Sequence, residues 1–315
     1  MKVEKNSASE IKIAYIGGGS RGWAWNLMSD LAQEKSLSGE VCLYDIDLEA
    51  AKANEIIGNK IREVHKDADN WYYTTAPTLC EALTGANFII ISILPGTFDE
   101  MRSDVHAPEE FGIYQSVGDT TGPGGIIRAL RTVPMYEVIA AAIRDYAPDA
   151  WVINYTNPMA MCVRTLYRVF PKIKAFGCCH EVFGTQKFLA KVMQKALGCE
   201  EIDRSEIKAN VIGTNHFTWL TSAHFRNHDI FPYYEKFCEE YGEKGFTEGN
   251  DTNWLNRVFQ CAQKVKMDLF KKYGYIAAAG DRHLAEFCPG TWYLDNPETV
   301  KSWGFDLTSV DFRLE

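Results

Sequence analysis

The 315-residue chain has no block of positive charge: 33 Lys and Arg are outnumbered by 42 Asp and Glu, for a formal net charge of −9. Nucleic acid and anionic membrane surfaces are therefore poor partners. No apolar run approaches the roughly 20 residues that a membrane helix requires. The first ten residues, Met1–Glu10, are polar and have no apolar core, so they do not read as a signal peptide. Internal repeats and low-complexity linkers are also missing. The nine cysteines are an odd number and two are adjacent; without a secretion signal they read as reduced thiols of a cytoplasmic protein, not as a disulfide framework. What is present is the composition of an ordinary soluble globular protein, with 46% hydrophobic and 24% charged residues, long enough for two domains or one large one.

The first half alternates short apolar runs with longer helical patterns. Strands are expected at Ile11–Ile16, Val41–Asp45, Trp71–Thr75, Phe88–Leu94, Trp151–Asn154 and Ile173–Gly177, with amphipathic helices between them, as at Leu48–Val64 and Ile126–Tyr146. Continuous apolar strands separated by helices predict a parallel sheet covered on both faces, and right-handed crossovers make it doubly wound and Rossmann-like. After about residue 200 the rhythm changes: strands are expected at Ile207–Gly213 and Phe217–Phe225, and a long helix at Asn253–Tyr273. The expected division is a nucleotide-binding domain over 1–200 and a second, α+β substrate domain over 201–315. The chain ends at Asp311-Phe312-Arg313-Leu314-Glu315 with no closing helix pattern.

Gly17-Gly18-Gly19-Ser20-Arg21-Gly22 follows the first strand and opens a helix. Glycines there permit a tight turn and close approach of the backbone to a pyrophosphate, and the helix N-terminus then faces the anion. The second strand ends in Tyr44-Asp45, and an acid at that place suits ribose hydroxyls and disfavours a 2′-phosphate, so NAD is expected over NADP. Ser92 and Pro95 close the fourth strand, where a nicotinamide ribose would pass. The competing reading is a glycine-rich turn with a surface Asp.

A second set of residues has the chemistry of a soft metal site. Cys179 follows the strand Ile173–Gly177 at the carboxyl edge of the sheet, and His216 lies in Thr214-Asn215-His216-Phe217. Thiolate and imidazole together favour a borderline transition metal, although a buried Cys or His is more often packing. Asn157, before Pro158, suits a sugar hydroxyl and equally suits capping of the helix that follows. Gly118-Asp119-Thr120-Thr121-Gly122-Pro123-Gly124-Gly125 reads as a shaped loop near a ligand, opening the helix that carries Arg128 and Arg131. Gly280-Asp281-Arg282-His283-Leu284-Ala285-Glu286 concentrates ionisable groups, with a solvated helix start capped by Asp281 as the plain alternative.

Taken in order, Ile16–Ser20, Gly122–Gly125 with Ala129-Leu130-Arg131-Thr132, Asn157-Pro158, Cys179-His180 and Asn215-His216-Phe217 resemble glycoside hydrolase family 4, the NAD- and manganese-dependent glycosidases related to lactate and malate dehydrogenases. Asp119–Arg131, Cys178–Gln186 and Ala277–Pro289 look most like its α-galacturonidase branch. The resemblance implies that the sugar is oxidised at C3 by NAD, loses its C2 proton to a base, expels the C1 group, takes up water and is reduced again. Mn²⁺ or another divalent transition metal would hold the C2 and C3 oxygens, and the nucleotide is not consumed. It implies Cys179 and His216 as metal ligands, Asn157 as a substrate and metal-shell contact, and His180 in the place of the general acid. Asp281 falls where the family has its base. Arg282 and His283 are candidates for the uronate carboxylate by their nearness to Asp281, and Asp119 for substrate contact. It further implies a galacturonide as partner and a dimer or tetramer. Family members usually run considerably longer, so the substrate domain is expected to be partial. Three alternatives remain open: an α-glucosidase or α-galactosidase of the same family, an NAD-dependent 2-hydroxy acid dehydrogenase, and an inactive NAD-binding remnant.

Overall fold

The computed structural model describes residues 1–64, 70–247 and 260–311. The chain forms two compact units, Met1–Gly96 with Ala129–Cys178, and Thr97–Arg128 with Cys179–Glu315.

The first unit is built on β2 (Ala8–Ile16), β3 (Leu37–Tyr44), β4 (Trp71–Thr75), β5 (Phe88–Ile91), β6 (Trp151–Asn154) and β7 (Lys174–Gly177). These run in the order β4-β3-β2-β5-β6-β7, all parallel, with the two-residue strand β1 (Lys2–Val3) antiparallel on β2. The strands are apolar on both sides because both faces are covered. Alternation along β2 and β5 sends Ala14, Ile16, Ile89 and Ile91 to one core with Tyr136 and Ile143 of the helix Gly122–Tyr146. It sends Ile13, Tyr15 and Ile90 to the other, with Met28 and Leu31 of the helix Trp23–Gln33. The order reverses between β2 and β5, and a crevice for ligands opens at the carboxyl ends of strands at such a switch point.

The second unit carries an antiparallel sheet of β8 (Ile207–Thr214), β9 (Phe217–Phe225), β10 (His228–Asp229) and β11 (Ile276–Ala277), with β9 paired to the other three. Helices Glu181–Leu197, Phe231–Tyr241 and Lys264–Tyr273 cover it, and Phe188, Met193, Leu220, Phe225, Tyr234, Phe237, Met267 and Phe270 share one buried core. The helix Glu181–Leu197 gives its apolar face to this core. By their contacts the units group Thr97–Arg128 and the helix Glu181–Leu197 with the residues after 200, a division that differs from the expected one at residue 200, where the pairing changes from parallel to antiparallel.

Two further expectations are modified. The helix Gly122–Tyr146 starts inside the glycine loop, four residues before Ile126, because Pro123 suits a first helical turn. Gly124 there lies so close to Gly118 O and Asp104 O that a Cβ would sit 2.6 and 2.8 Å from them. The expected helix Asn253–Tyr273 begins, in its described part, at Lys264, after Gln263 takes a left-handed φ of 58°; residues 253–259 of that expectation lie outside the described residues. None of the nine cysteines is in a disulfide, and no described helix is long and apolar enough to cross a membrane.

Candidate active site

In the first unit the glycine loop is shaped by close backbone contacts. Gly17 has φ +95°, and a Cβ there would meet Ser92 O at 2.0 Å. A Cβ on Gly18 would meet Leu43, and one on Gly19 would meet Ala50 and the Asp45 carboxylate. The amides of Gly17 and Gly18 both donate to Tyr44 O at 2.9 Å. Asp45 Oδ2 accepts the Gly19 N–H at 2.9 Å, so the acid at the end of β3 is fastened to the edge of the loop. Ser20 Oγ accepts the Trp23 N–H at 3.2 Å at the start of the helix Trp23–Gln33, while Arg21 is exposed. Pro95 is held by Arg131, whose Nε donates to its carbonyl at 3.4 Å. A bare turn with backbone room and an acid at the next strand end fits a dinucleotide diphosphate and ribose.

Sequence reasoning missed Asn54. Buried within the helix Leu48–Val64, it donates to Gly18 O at 2.7 Å and Ser20 O at 3.0 Å. An amide at an inward position of an amphipathic helix was the available signal. Asn154 does the same work at the end of β6: its Nδ2 donates to Thr156 O at 2.9 Å, and Thr156 Oγ1 accepts the Ile93 N–H at 2.9 Å. This shapes the segment that carries Asn157. Asn157 does not cap the next helix: Pro158 is the N-cap residue of Met159–Val169, and no side chain caps there. Of the two readings of Asn157, the capping one is thereby removed.

In the second unit five possible metal donors converge. Asp119, His216 and His283 present donor atoms within 4.8 Å of one another, and so do Cys179, Glu181 and His216. His216 belongs to both groups. It sits not in a strand but in the two-residue turn between β8 and β9, at φ +66°, and it is 4% exposed. Its Nδ1 lies 2.6 Å from Thr120 Oγ1. The Thr120 hydroxyl has one proton and donates it to Asp119 Oδ1 at 2.7 Å, so Nδ1 of His216 carries a hydrogen and Nε2 keeps its lone pair for a ligand. Burial lowers the His216 pKa to about 4 against the opposing charge of Asp119, which keeps the ring neutral. Burial opposes the charge of Asp119 itself, but His283, Arg128 and His216 outweigh it and hold that carboxyl below its ordinary value.

Cys179 follows β7, with its thiol pushed up to about 11 by burial and by Glu181, so a cation must displace its proton to bind. A buried set of thiol, imidazole and carboxylate donors fits a borderline divalent ion. His180 is exposed and begins the helix Glu181–Leu197; it is near enough to His216 to oppose that ring's protonation. Glu181 closes the segment Cys178-Cys179-His180-Glu181 but was given no role of its own, because an acid in the first turn of a helix is what any helix prefers. Burial raises its pKa to about 8.

The helix Asp281–Glu286 brings His283 to this cluster but sets its neighbours to other work. Asp281 is fully buried, and its two carboxylate oxygens accept the N–H groups of Val265 at 3.1 Å and Lys266 at 3.0 Å, at the start of the helix Lys264–Tyr273. It caps that helix, not its own. Arg282, 5% exposed, donates to Ser116 O at 2.7 Å and to the Thr308 hydroxyl. Glu286 Oε1 accepts the N–H groups of Val117 and Gly118 at 2.7 and 2.8 Å. These contacts fix the loop that presents Asp119 and Thr120.

Models for known families match most of the chain: that for the family 4 glycosyl hydrolases matches residues 12–195, and that for their C-terminal domain matches residues 211–308. The chain is 61% identical over 315 residues to an α-galacturonidase of Thermoanaerobacterium saccharolyticum, covering 100% of this chain and 68% of that protein. It is 31% identical over 306 residues to an α-galactosidase of Bacillus subtilis, covering 96% and 65%. The crystal structure of Bacillus subtilis lplD, described as a glucosidase, superposes with a TM-score of 0.91 at 55% identity over 98% of this chain and 68% of that one. The chain belongs to the family 4 glycosyl hydrolases.

Proposed function

We propose that the protein is an α-galacturonidase that cleaves α-galacturonides with bound NAD and a divalent metal, Mn²⁺ foremost. The observation that carries the substrate class is the spread of identity within the family: 61% to an α-galacturonidase against 31% to an α-galactosidase, each over nearly the whole chain. When bound, NAD supplies a temporary hydride acceptor and the metal a Lewis acid for sugar oxygens.

The chain's own residues then have these roles. Gly17, Gly18, Gly19, Ser20 and Arg21 receive the diphosphate, Asp45 the adenine-side ribose, and Ser92 and Pro95 border the nicotinamide side. Cys179 and His216 hold the ion, with Thr120 fixing the His216 tautomer. Asp119 supplies negative charge beside both imidazoles. His180, exposed at the helix start, is the proton donor to the leaving oxygen. Asn157 offers its amide to a sugar hydroxyl. Asp281, with both oxygens engaged by backbone amides, supports the site and does not serve as the base. Arg282, tied to Ser116, supports the Asp119 loop.

A cytoplasmic location belongs to the same reading and is supported by nine cysteines of which none is in a disulfide. So does a homo-oligomer, supported by Ile126, Leu130 and Val138, which lie 62, 67 and 62% exposed along the helix Gly122–Tyr146.

The test is release of a chromophore from an α-galacturonide with NAD⁺, Mn²⁺ and a thiol reductant, against controls that omit each. Activity that needs both additions, with no net NADH, supports the proposal. Turnover of an α-galactoside or α-glucoside in place of the uronide would move the substrate class, and stoichiometric NADH would replace the hydrolase by a dehydrogenase.

A further inference from the structure

We propose that His283 is a third protein ligand of the divalent metal, binding through Nδ1, and that Glu181 is the carboxylate that orients its ring. The inference rests on the metal-dependent reading above.

Three observations carry it. First, the two nitrogens of His283 have opposite surroundings: Nε2 lies 3.1 Å from Glu181 Oε1, while Nδ1 is buried and has no hydrogen-bond partner among the described residues. With Nε2–H donating to the carboxylate, the lone pair is on Nδ1. Second, His216 has one ring nitrogen engaged in the same way, its Nδ1 by Thr120, which leaves the lone pair on Nε2. The two rings lie side by side, 3.8 Å between centroids and 35° apart, in one group with Asp119 whose donor atoms lie within 4.8 Å. An imidazole with one nitrogen bonded to a protein carboxylate or hydroxyl and the other left bare is how metal-binding histidines are prepared. Third, Glu181 stands in the first turn of the helix Glu181–Leu197 with Oε1 3.1 Å from His283 Nε2, which suits a residue behind the ligand more than a ligand.

The fold gives the ring its place. His283 stands next to Arg282, which is bonded to Ser116, and three residues before Glu286, which is bonded to Val117 and Gly118. The short helix and the Asp119 loop are thus locked in one register. His283 shares one group of donor atoms with His216 and Asp119, and His216 is also grouped with Cys179 and Glu181; an ion held at His216 would gain His283 as a further ligand and keep positions for sugar oxygens, the arrangement that an open catalytic site needs.

The test uses the full chain and metal alone. Mn²⁺ is titrated into wild type, His283→Gln, His283→Ala and Glu181→Gln, with free Mn²⁺ read by electron paramagnetic resonance, and Co²⁺ is substituted and read by absorption. His283→Gln keeps an amide near Nε2, in reach of Glu181, but has no donor at Nδ1. The expectation is a loss of Mn²⁺ affinity of about 100-fold or more for both His283 variants and about 10-fold for Glu181→Gln. The thiolate-to-cobalt band of Cys179 should persist, and added imidazole should restore the cobalt spectrum of His283→Ala. NAD⁺ affinity should stay within about two-fold, which separates ligand loss from unfolding. His283 variants that bind Mn²⁺ like wild type would overturn the inference and leave the metal-dependent reading standing. So would loss of the ion on Glu181→Gln alone, or a cobalt spectrum that imidazole does not restore. Wild type that binds no divalent ion would overturn both.

Discussion

The two units build their sites by opposite means. In the first, the cradle is backbone: three consecutive glycines, two amides on Tyr44 O and one on Asp45, all within about thirty residues of sequence. In the second, the site is side chains drawn from four segments, around Asp119, Cys179, His216 and His283. The glycine loop has its shape because a Cβ has no room. The donor cluster has its shape because loops are pinned by Gln115, Arg282 and Glu286. A backbone site should fail by collision and a side-chain site by loss of one donor, and each failure should stay within its own unit.

The largest effect should come from the donor. Cys179→Ala removes the thiolate, and we expect at least about a 1,000-fold fall in kcat with Mn²⁺ affinity lost, while NAD⁺ binding by fluorescence titration is kept. Parallel loss of NAD⁺ binding would break the comparison. Next is Gly17→Ala, which puts a methyl 2.0 Å from Ser92 O at φ +95°. The expected result is NAD⁺ affinity down by about 100-fold or more and stability lowered by about 2–3 kcal/mol, with Mn²⁺ binding by the second unit retained. A smaller effect is expected for Thr120→Val, which leaves the His216 Nδ1–H without its acceptor. Metal affinity should fall about 10-fold, and an unchanged value would remove Thr120 from the account.

The smallest effect on turnover should be that of Asp281→Asn. Burial raises the Asp281 pKa to about 6, above its ordinary 3.8. Between those values the folded chain binds more protons than the unfolded one, so this group's contribution to stability falls as pH rises from about 4 to about 6. The Asn variant should lose that slope and, because its amide can accept only one of the two N–H groups, lower stability by about 1–3 kcal/mol with kcat nearly intact. A fall in kcat of several orders of magnitude would return Asp281 to the role of base.

What was legible in the sequence follows the same contrast. Strands Trp71–Thr75, Trp151–Asn154 and Phe217–Phe225 and the helix Leu48–Val64 have their expected bounds, since apolar runs bounded by polar turns fix them locally. The glycine cradle was legible because the strand, the glycines and the helix that follows are contiguous in sequence, although the atoms that leave no room for a Cβ, Ser92 O and Leu43 among them, are distant in it. Cys179 and His216 were suggested by residue chemistry, but their meeting depends on a hairpin turn that neither residue encodes alone. Glu181 was hidden by its ordinary place in a first helical turn. Asp281 and Arg282 drew attention by charge, yet burial turned them toward helix Lys264–Tyr273 and Ser116. Charge density in a sequence names a segment, and only packing decides which of its groups faces the ligand.

The most direct test of the redox–elimination reading is hydrolysis of an α-galacturonide in D₂O, with the released sugar examined by NMR at C2. The account predicts deuterium at C2, because the C2 proton is removed and replaced from solvent during each turnover. A product that keeps its original C2 proton would contradict it.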